Sequence, residues 1–123
     1  MDAKARSALE IVVVGPCAAG KSTLVSGLRA QGFTAARLVA QEHSGIPDLW
    51  ALHGPPDVLV YLDVQAEAMN RRQGRSDWTE ETRAAEVARL ERARLASHLY
   101  LATDDLTIPQ VLDAVMSFLL QSA

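Results

Sequence analysis

The sequence predicts an α/β protein: a three-layer, doubly wound parallel sheet of four to five strands with helices packed on it. Three observations carry that prediction. The runs Ile11-Val12-Val13-Val14 and Val58-Leu59-Val60-Tyr61-Leu62 have the length and β-branched, aliphatic content of strands buried on both faces. Segments of helical spacing separate the strand-like runs, as parallel crossovers require. Between the first run and the first helix stands Gly15-Pro16-Cys17-Ala18-Ala19-Gly20-Lys21-Ser22, a full G-x-x-x-x-G-K-[ST] pattern in the strand–loop–helix setting it requires.

The elements follow in order. After strand 11–14, Lys21 to Gln31 carries Leu24, Val25 and Leu28 at helical spacing, with Gly32 placed to end the helix. Phe33 to Ala40 reads as a second strand, strongest at Leu38 and Val39. The stretch Gln41 to Pro56 holds Gly45, Pro47, Gly54, Pro55 and Pro56 and reads as loop. A short helix is expected within it, starting near Pro47 and running through Leu49, Trp50 and Leu52. The strand 58–62 ends at Asp63, and Gln65 to Gln73 is helical up to Gly74. Thr79 to His98 reads as one long helix, with Glu86/Arg89 and Glu91/Arg94 as i,i+3 pairs and Ala84, Val87, Ala88 and Leu95 as a thin apolar stripe. Leu99 to Ala102 is a brief last strand. In the final helix Thr107 and Gln110 form a capping box, and Ile108, Val111, Leu112, Val115, Met116 and Leu119 mark one face.

The glycine loop is the strongest chemical signal. A strand, a glycine turn and a helix N-terminus aim successive backbone N–H groups at one point, which suits a di- or triphosphate. Gly15 and Gly20 permit the tight turn, Lys21 reaches the β- and γ-phosphates, and the Ser22 hydroxyl ligates Mg²⁺. The cofactor-binding set is therefore Gly15, Pro16, Cys17, Ala18, Ala19, Gly20, Lys21, Ser22 and the adjoining Thr23, and the fold class is that of the P-loop NTPases. Cys17 reads as a small space-filler, or as a nucleophile if Lys21 and the helix N-terminus activate it. Pro16 stiffens the loop and removes one N–H from it.

Composition narrows the function classes. One domain spanning 1–123 is expected from the chain of 123 residues. A net charge of −3 gives no sign of nucleic-acid binding. The single cysteine excludes an internal disulfide framework and suits a reducing cytosol. No apolar stretch approaches the ~20 residues of a membrane span, and the charged first ten residues give no sign of a signal peptide, so a cytoplasmic location is expected.

From Pro56 the chain reads P-D-V-L-V-Y-L-D-V-Q-A-E-A-M-N-R-R-Q-G-R, and near the other end Y-L-A-T-D-D-L-T-I-P-Q-V-L-D-A-V. With the glycine loop, these passages resemble thymidylate kinases, deoxynucleoside kinases and related small-molecule kinases of the P-loop class, over roughly half of the chain. The resemblance implies an arginine-bearing lid after the strand 58–62, here reduced to Arg71, Arg72 and Arg75. It also implies that Thr103 and Asp104 border the adenine base. Gln41-Glu42-His43-Ser44 resembles the E-R-S element of such kinases with histidine in place of arginine, and the region that holds their substrate pocket is much shortened.

Phosphoryl transfer needs an acid that organises Mg²⁺, a group that orients the nucleophile and cations on the transferring phosphate. Glu42 is the candidate base, against a solvated loop glutamate. Asp63 follows an apolar strand as a metal-binding acid does, while the resembling kinases use that position to cap the strand; the candidate metal ligands are therefore Ser22 and Asp63. Arg71, Arg72 and Arg75 are either cations on the γ-phosphate, Arg75 best placed after Gly74, or a solvated basic helix end. His43, His53 and His98 lack metal-ligand spacing and read as surface or loop residues, and Trp50 as packing on the sheet. No N-K-x-D guanine-reading element is present, so ATP is favoured over GTP. The expected function is an ATP- and Mg²⁺-dependent phosphotransferase acting on a small molecule or nucleotide, with a homo-oligomer allowed. The alternative is a nucleotide-binding module without efficient catalysis, or a slow NTPase completed by a partner.

Overall fold

In the computed structural model, which describes residues 1–121, strands β1 (Ile11–Val14), β2 (Ala36–Leu38), β3 (Val58–Asp63) and β4 (Leu99–Ala102) form one sheet in the order β2-β1-β3-β4. Every pairing is parallel: Ile11 lies opposite Ala36 on one side and Val58 on the other, and Val60 opposite Leu99. Central β1 is wholly buried, which is why its four residues are apolar without alternation. The helices are α1 (Ala3–Ala8), α2 (Lys21–Ala30), α3 (Ala66–Gln73), α4 (Glu80–Ala96) and α5 (Ile108–Gln121).

Alternation along the strands sends side chains into two cores. Ile11, Val13, Val60 and Leu62 pack with Leu24 and Leu28 of α2, Met69 of α3, and Val115 and Leu119 of α5. Val12, Val14, Leu59 and Tyr61 face the other way, against Leu90 and Ala93 of α4 and against Trp50. Both faces are thus covered, as a doubly wound parallel sheet requires. Gly27 lets α2 approach α5: a Cβ there would come within 3.2 Å of Leu112. The strand order reverses at β1, whose neighbours are β2 and β3, and a ligand crevice is expected at the carboxyl ends of strands at such a point.

Several local expectations change. The strand expected over Phe33–Ala40 is only Ala36–Leu38, because Phe33 closes α2 instead. Gly32, at φ +95°, and Phe33 donate to the carbonyls of Arg29 and Leu28, and this Schellman-type cap buries the Phe33 ring completely. The described residues contain no fifth strand. The helix expected from Pro47 is a 3₁₀ turn, Leu49–Ala51, and the β2–β3 connection carries only this and a second 3₁₀ turn, Gln41–His43. α1 was not expected at all: Asp2 caps it, and none of its residues is buried.

The stripe expected on α4 is also displaced. The buried positions are Glu86, Leu90 and Ala93, while Leu95 is 79% exposed. The expected Glu86/Arg89 and Glu91/Arg94 pairs are absent among the described residues. Instead, side chains three residues apart reach outward in succession: Arg83 to Asp63, Glu86 to the Cys17 N–H, Arg89 to the Glu42 carbonyl and Arg92 to Asp48. The helix is a rack of tertiary contacts, which an isolated helical pattern cannot distinguish from i,i+3 pairing. The capping box of α5 forms, with reciprocal bonds between Thr107 and Gln110, but Ile108 is 67% exposed because it begins the helix beyond the edge of the core.

Candidate functional site

The chain leaves β1 through Gly15 and enters α2 at Lys21, and the loop between them is bent by left-handed backbone. Gly15 has φ +153°, Ala18 +62° and Gly20 +97°. Ala18 is the only residue other than glycine with positive φ among those described, a conformation worth about 1–2 kcal/mol of strain for an L-residue. Gly15 fits because β1 and β3 nearly touch there: a Cβ would lie 2.0 Å from the Leu62 carbonyl oxygen. At Gly20, the N-cap of α2, no side chain caps the helix, and the space a Cβ would enter is open. The first N–H groups of α2 therefore have no capping side chain, and the space beside Gly20 is open, a geometry suited to an anion.

Lys21 folds back beneath the loop. Its Nζ donates to the carbonyls of Gly15 (2.8 Å) and Pro16 (2.9 Å) and pairs with Glu42 Oε2 at 2.8 Å. Both partners are buried, the side chains 9% and 4% exposed, so the reading of Glu42 as a solvated loop glutamate fails. Glu42 Oε1 is buried and has no hydrogen-bond partner. The turn that carries Glu42 is pinned from two directions. Gln41, wholly buried, donates to the Ile46 carbonyl and accepts from the Trp50 N–H, and Arg89 donates to the Glu42 carbonyl. Trp50 packs on the sheet, as expected.

Glu86 is a site residue that no motif or spacing singles out. Buried on α4, its Oε1 accepts from the Cys17 N–H at 2.9 Å, and its Oε2 lies 4.0 Å from His43 Nδ1. Cys17 Sγ in turn lies 3.2 Å from His43 Nε2. Burial, with Glu86 bonded beside it, pushes the Cys17 thiol up to about 11. At neutral pH the group is a thiol, which disfavours the nucleophile and leaves the space-filler. Alkylation by iodoacetamide should therefore be slow near pH 8.5 and still rising toward pH 11, with about two orders of magnitude less thiolate than an ordinary cysteine near pH 8.5. A rate profile levelling off near pH 9 would contradict this environment.

Beyond the loop, Arg72 and Thr103 close one side. Arg72 donates to the Ala18 carbonyl (2.7 Å), to Thr103 Oγ1 (3.0 Å) and to the Thr103 carbonyl. Thr103, 1% exposed, donates from its hydroxyl to the carbonyls of Ala19 and Asp63, tying the ends of β3 and β4 to the loop. A cleft of about 430 Å³ opens here, its walls including Gly20, Thr23 and Leu24 of the loop and α2, Arg72 and Thr103, and Leu106 and Leu112 of the α5 side. It is apolar inside and runs directly into the glycine loop.

The other expected site residues lie as follows. Ser22 is exposed in the first turn of α2 and borders a shallower hollow with Lys21 and Arg72. Asp63, at the end of β3, accepts from the Val64 N–H (2.8 Å), from Arg83 (2.8 Å) and from the Tyr100 hydroxyl, so its oxygens already serve protein donors. Asp104 accepts from the Gln65 N–H at the start of α3, and its carbonyl accepts from Arg71. Arg75 forms a bidentate pair with Asp77 (2.7 and 2.5 Å) and lies over the Trp78 ring. Of the three arginines, Arg72 alone bonds to the glycine loop among the described residues. His98 caps the β3–β4 edge, its Nδ1 accepting from the Leu59 N–H. No protein-family model and no curated protein matches the chain. No described helix is long and apolar enough to cross a membrane.

Proposed function

We propose that the chain is an ATP- and Mg²⁺-dependent phosphotransferase of the P-loop class, acting on a small molecule or nucleotide. The observation that carries this reading is the α2 N-terminus without a capping side chain, set under a left-handed glycine loop with Lys21 buried at its base. The β- and γ-phosphates would take the N–H groups of the loop and first turn, residues 18–23, with Lys21 exchanging its carbonyl contacts for phosphate oxygens. The base would enter the adjoining apolar cleft beside Thr103; no guanine-reading element lines it, which favours adenine.

The donor set suits Mg²⁺. The Ser22 hydroxyl is a hard oxygen donor in the first turn of α2, whereas Asp63 is engaged with Arg83 and Tyr100. When bound, Mg²⁺ supplies charge neutralisation on the phosphates. That matters here, because the buried carboxylates of Glu42 and Glu86 flank the loop and oppose a polyanion. Glu42 orients the acceptor hydroxyl and takes its proton at the free oxygen. Arg72, already bonded to the Ala18 carbonyl, would be the lid cation on the transferring group.

Turnover against a panel of nucleosides and small alcohols tests the transfer. Under this reading Arg72→Ala lowers kcat by roughly tenfold to a thousandfold, less than the 10³–10⁵ of an arginine finger because Arg72 is partly solvated. Arg75→Ala, which removes only a pair with Asp77, changes kcat less than about twofold. The reverse order would place the lid cation at Arg75.

A second reading, a nucleotide-binding module without efficient catalysis, has its own support. Glu42 is paired with Lys21, and Arg71, Arg72 and Arg75 are each bonded to protein groups. Nucleotide binding without turnover on any acceptor decides for it, and specific activity that rises with protein concentration points to completion by a partner.

A further inference from the structure

We propose that Cys17 Sγ, His43 Nε2 and the Glu42 carboxylate form a binding site for a zinc-class divalent ion at the rim of the glycine loop. The three ligand atoms lie within 4.8 Å of one another, with Sγ to Nε2 at 3.2 Å and Nε2 to Glu42 Oε2 at 3.8 Å. Tetrahedral coordination with bonds of ~2.0 Å to nitrogen and oxygen and ~2.3 Å to sulfur sets ligand atoms about 3.3–3.6 Å apart. Closing on an ion therefore asks for shifts of about an ångström, mostly from the exposed His43 ring.

Two further features point to a cation. Glu42 Oε1 is buried without a partner on a side chain only 4% exposed, so the carboxylate keeps acceptor capacity beyond the Oε2 pair with Lys21. Glu86 stands behind both other ligands: Oε1 holds the Cys17 backbone, and Oε2 lies 4.0 Å from His43 Nδ1. With the ring drawn about an ångström closer, that carboxylate would accept from Nδ1–H and leave Nε2 free to ligate, the outer-shell arrangement common at histidine metal sites. The buried carboxylates of Glu42 and Glu86 both border the cluster, and they favour a cation there. One sulfur, one imidazole nitrogen and one carboxylate oxygen select zinc-class ions over Mg²⁺ or Ca²⁺, and three protein ligands leave a position for water. Coordination replaces the S–H bond by a sulfur–metal bond and releases that proton to solvent.

The site does not depend on nucleotide binding, so the test omits nucleotide. Metal-free wild-type protein is titrated with Co²⁺ and followed by absorption, then titrated with Zn²⁺. The expected result is one equivalent of Co²⁺ with a thiolate-to-cobalt charge-transfer band, displaced by one equivalent of Zn²⁺ but not by excess Mg²⁺. Cys17→Ser should lose the band, and His43→Ala should weaken Zn²⁺ binding about tenfold or more. His43 is exposed, so this variant should fold as the wild type does, and its melting curve checks that. Absence of the band in the wild type, or equal Zn²⁺ affinity in wild type and both variants, would overturn the site and leave a plain Cys17–His43 hydrogen bond.

Discussion

Lys21→Ala should lower the melting temperature by roughly 10–20 °C with no ligand present, the drop expected from ~3–5 kcal/mol in a chain of this size. The cause is the partner left behind. Glu42 is 3% exposed, its Oε1 has no hydrogen-bond partner, and its Oε2 is held by Lys21 at 2.8 Å. Removing the lysine strands a buried carboxylate and leaves the Gly15 and Pro16 carbonyls without their Nζ donor. Breaking a buried pair from one side costs far more than the pair itself contributes. Lys21→Ala/Glu42→Gln should therefore recover much of the loss, since an amide has no charge to strand. Thermal unfolding of the single and double variants measures both effects. A single variant within a few degrees of wild type would mean that water reaches Glu42 and the pair is not buried.

Gly15→Ala should be worse, costing more than about 4 kcal/mol and leaving much of the protein unfolded or insoluble. The added Cβ would sit 2.0 Å from the Leu62 carbonyl oxygen and 3.0 Å from its carbon. Both are backbone atoms of β3, so no side chain can turn aside. Relief requires separating the end of β1 from β3, where Val14 pairs with Tyr61. Gly20→Ala is the control. Its φ of +97° is also left-handed, but no atom lies within 4 Å of the new Cβ, so only backbone strain of about 1–2 kcal/mol is expected. Similar losses in the two variants would show that backbone conformation, not the contact with β3, makes glycine necessary at position 15.

What could be read from the sequence divides along a physical line. β1, β3, β4, α2 and α3 were legible because each carries its signal locally: an unbroken apolar run, a 3.6-residue period or a terminal glycine. The glycine loop was legible for the same reason. α1 was not, since a helix of six residues with nothing buried leaves no apolar period. β2 was overextended because Phe33 looks like a strand residue, yet its burial comes from capping α2. The site's polar wiring was hidden most deeply. Glu86 reaches Cys17 across 69 residues, and Lys21 meets a glutamate on a separate turn, so neither pairing is written in periodicity. The charges of α4 invited i,i+3 pairing because three-residue spacing is the same whether the partners lie on the helix or on the elements it covers.

Under the proposed function, the glycine loop holds nucleotide phosphates and the cleft beside Thr103 receives the base. Calorimetric titration of the wild-type protein with ATP and Mg²⁺, with thermal unfolding at saturation, tests it most directly. The expected result is one binding site, weaker competition from GTP than from ADP, and about 2.7 kcal/mol of added stability at ~100 times the dissociation constant. The shift should be lost in Lys21→Ala/Glu42→Gln. No heat of binding and an unchanged melting curve with ATP, ADP, GTP and GDP would contradict it.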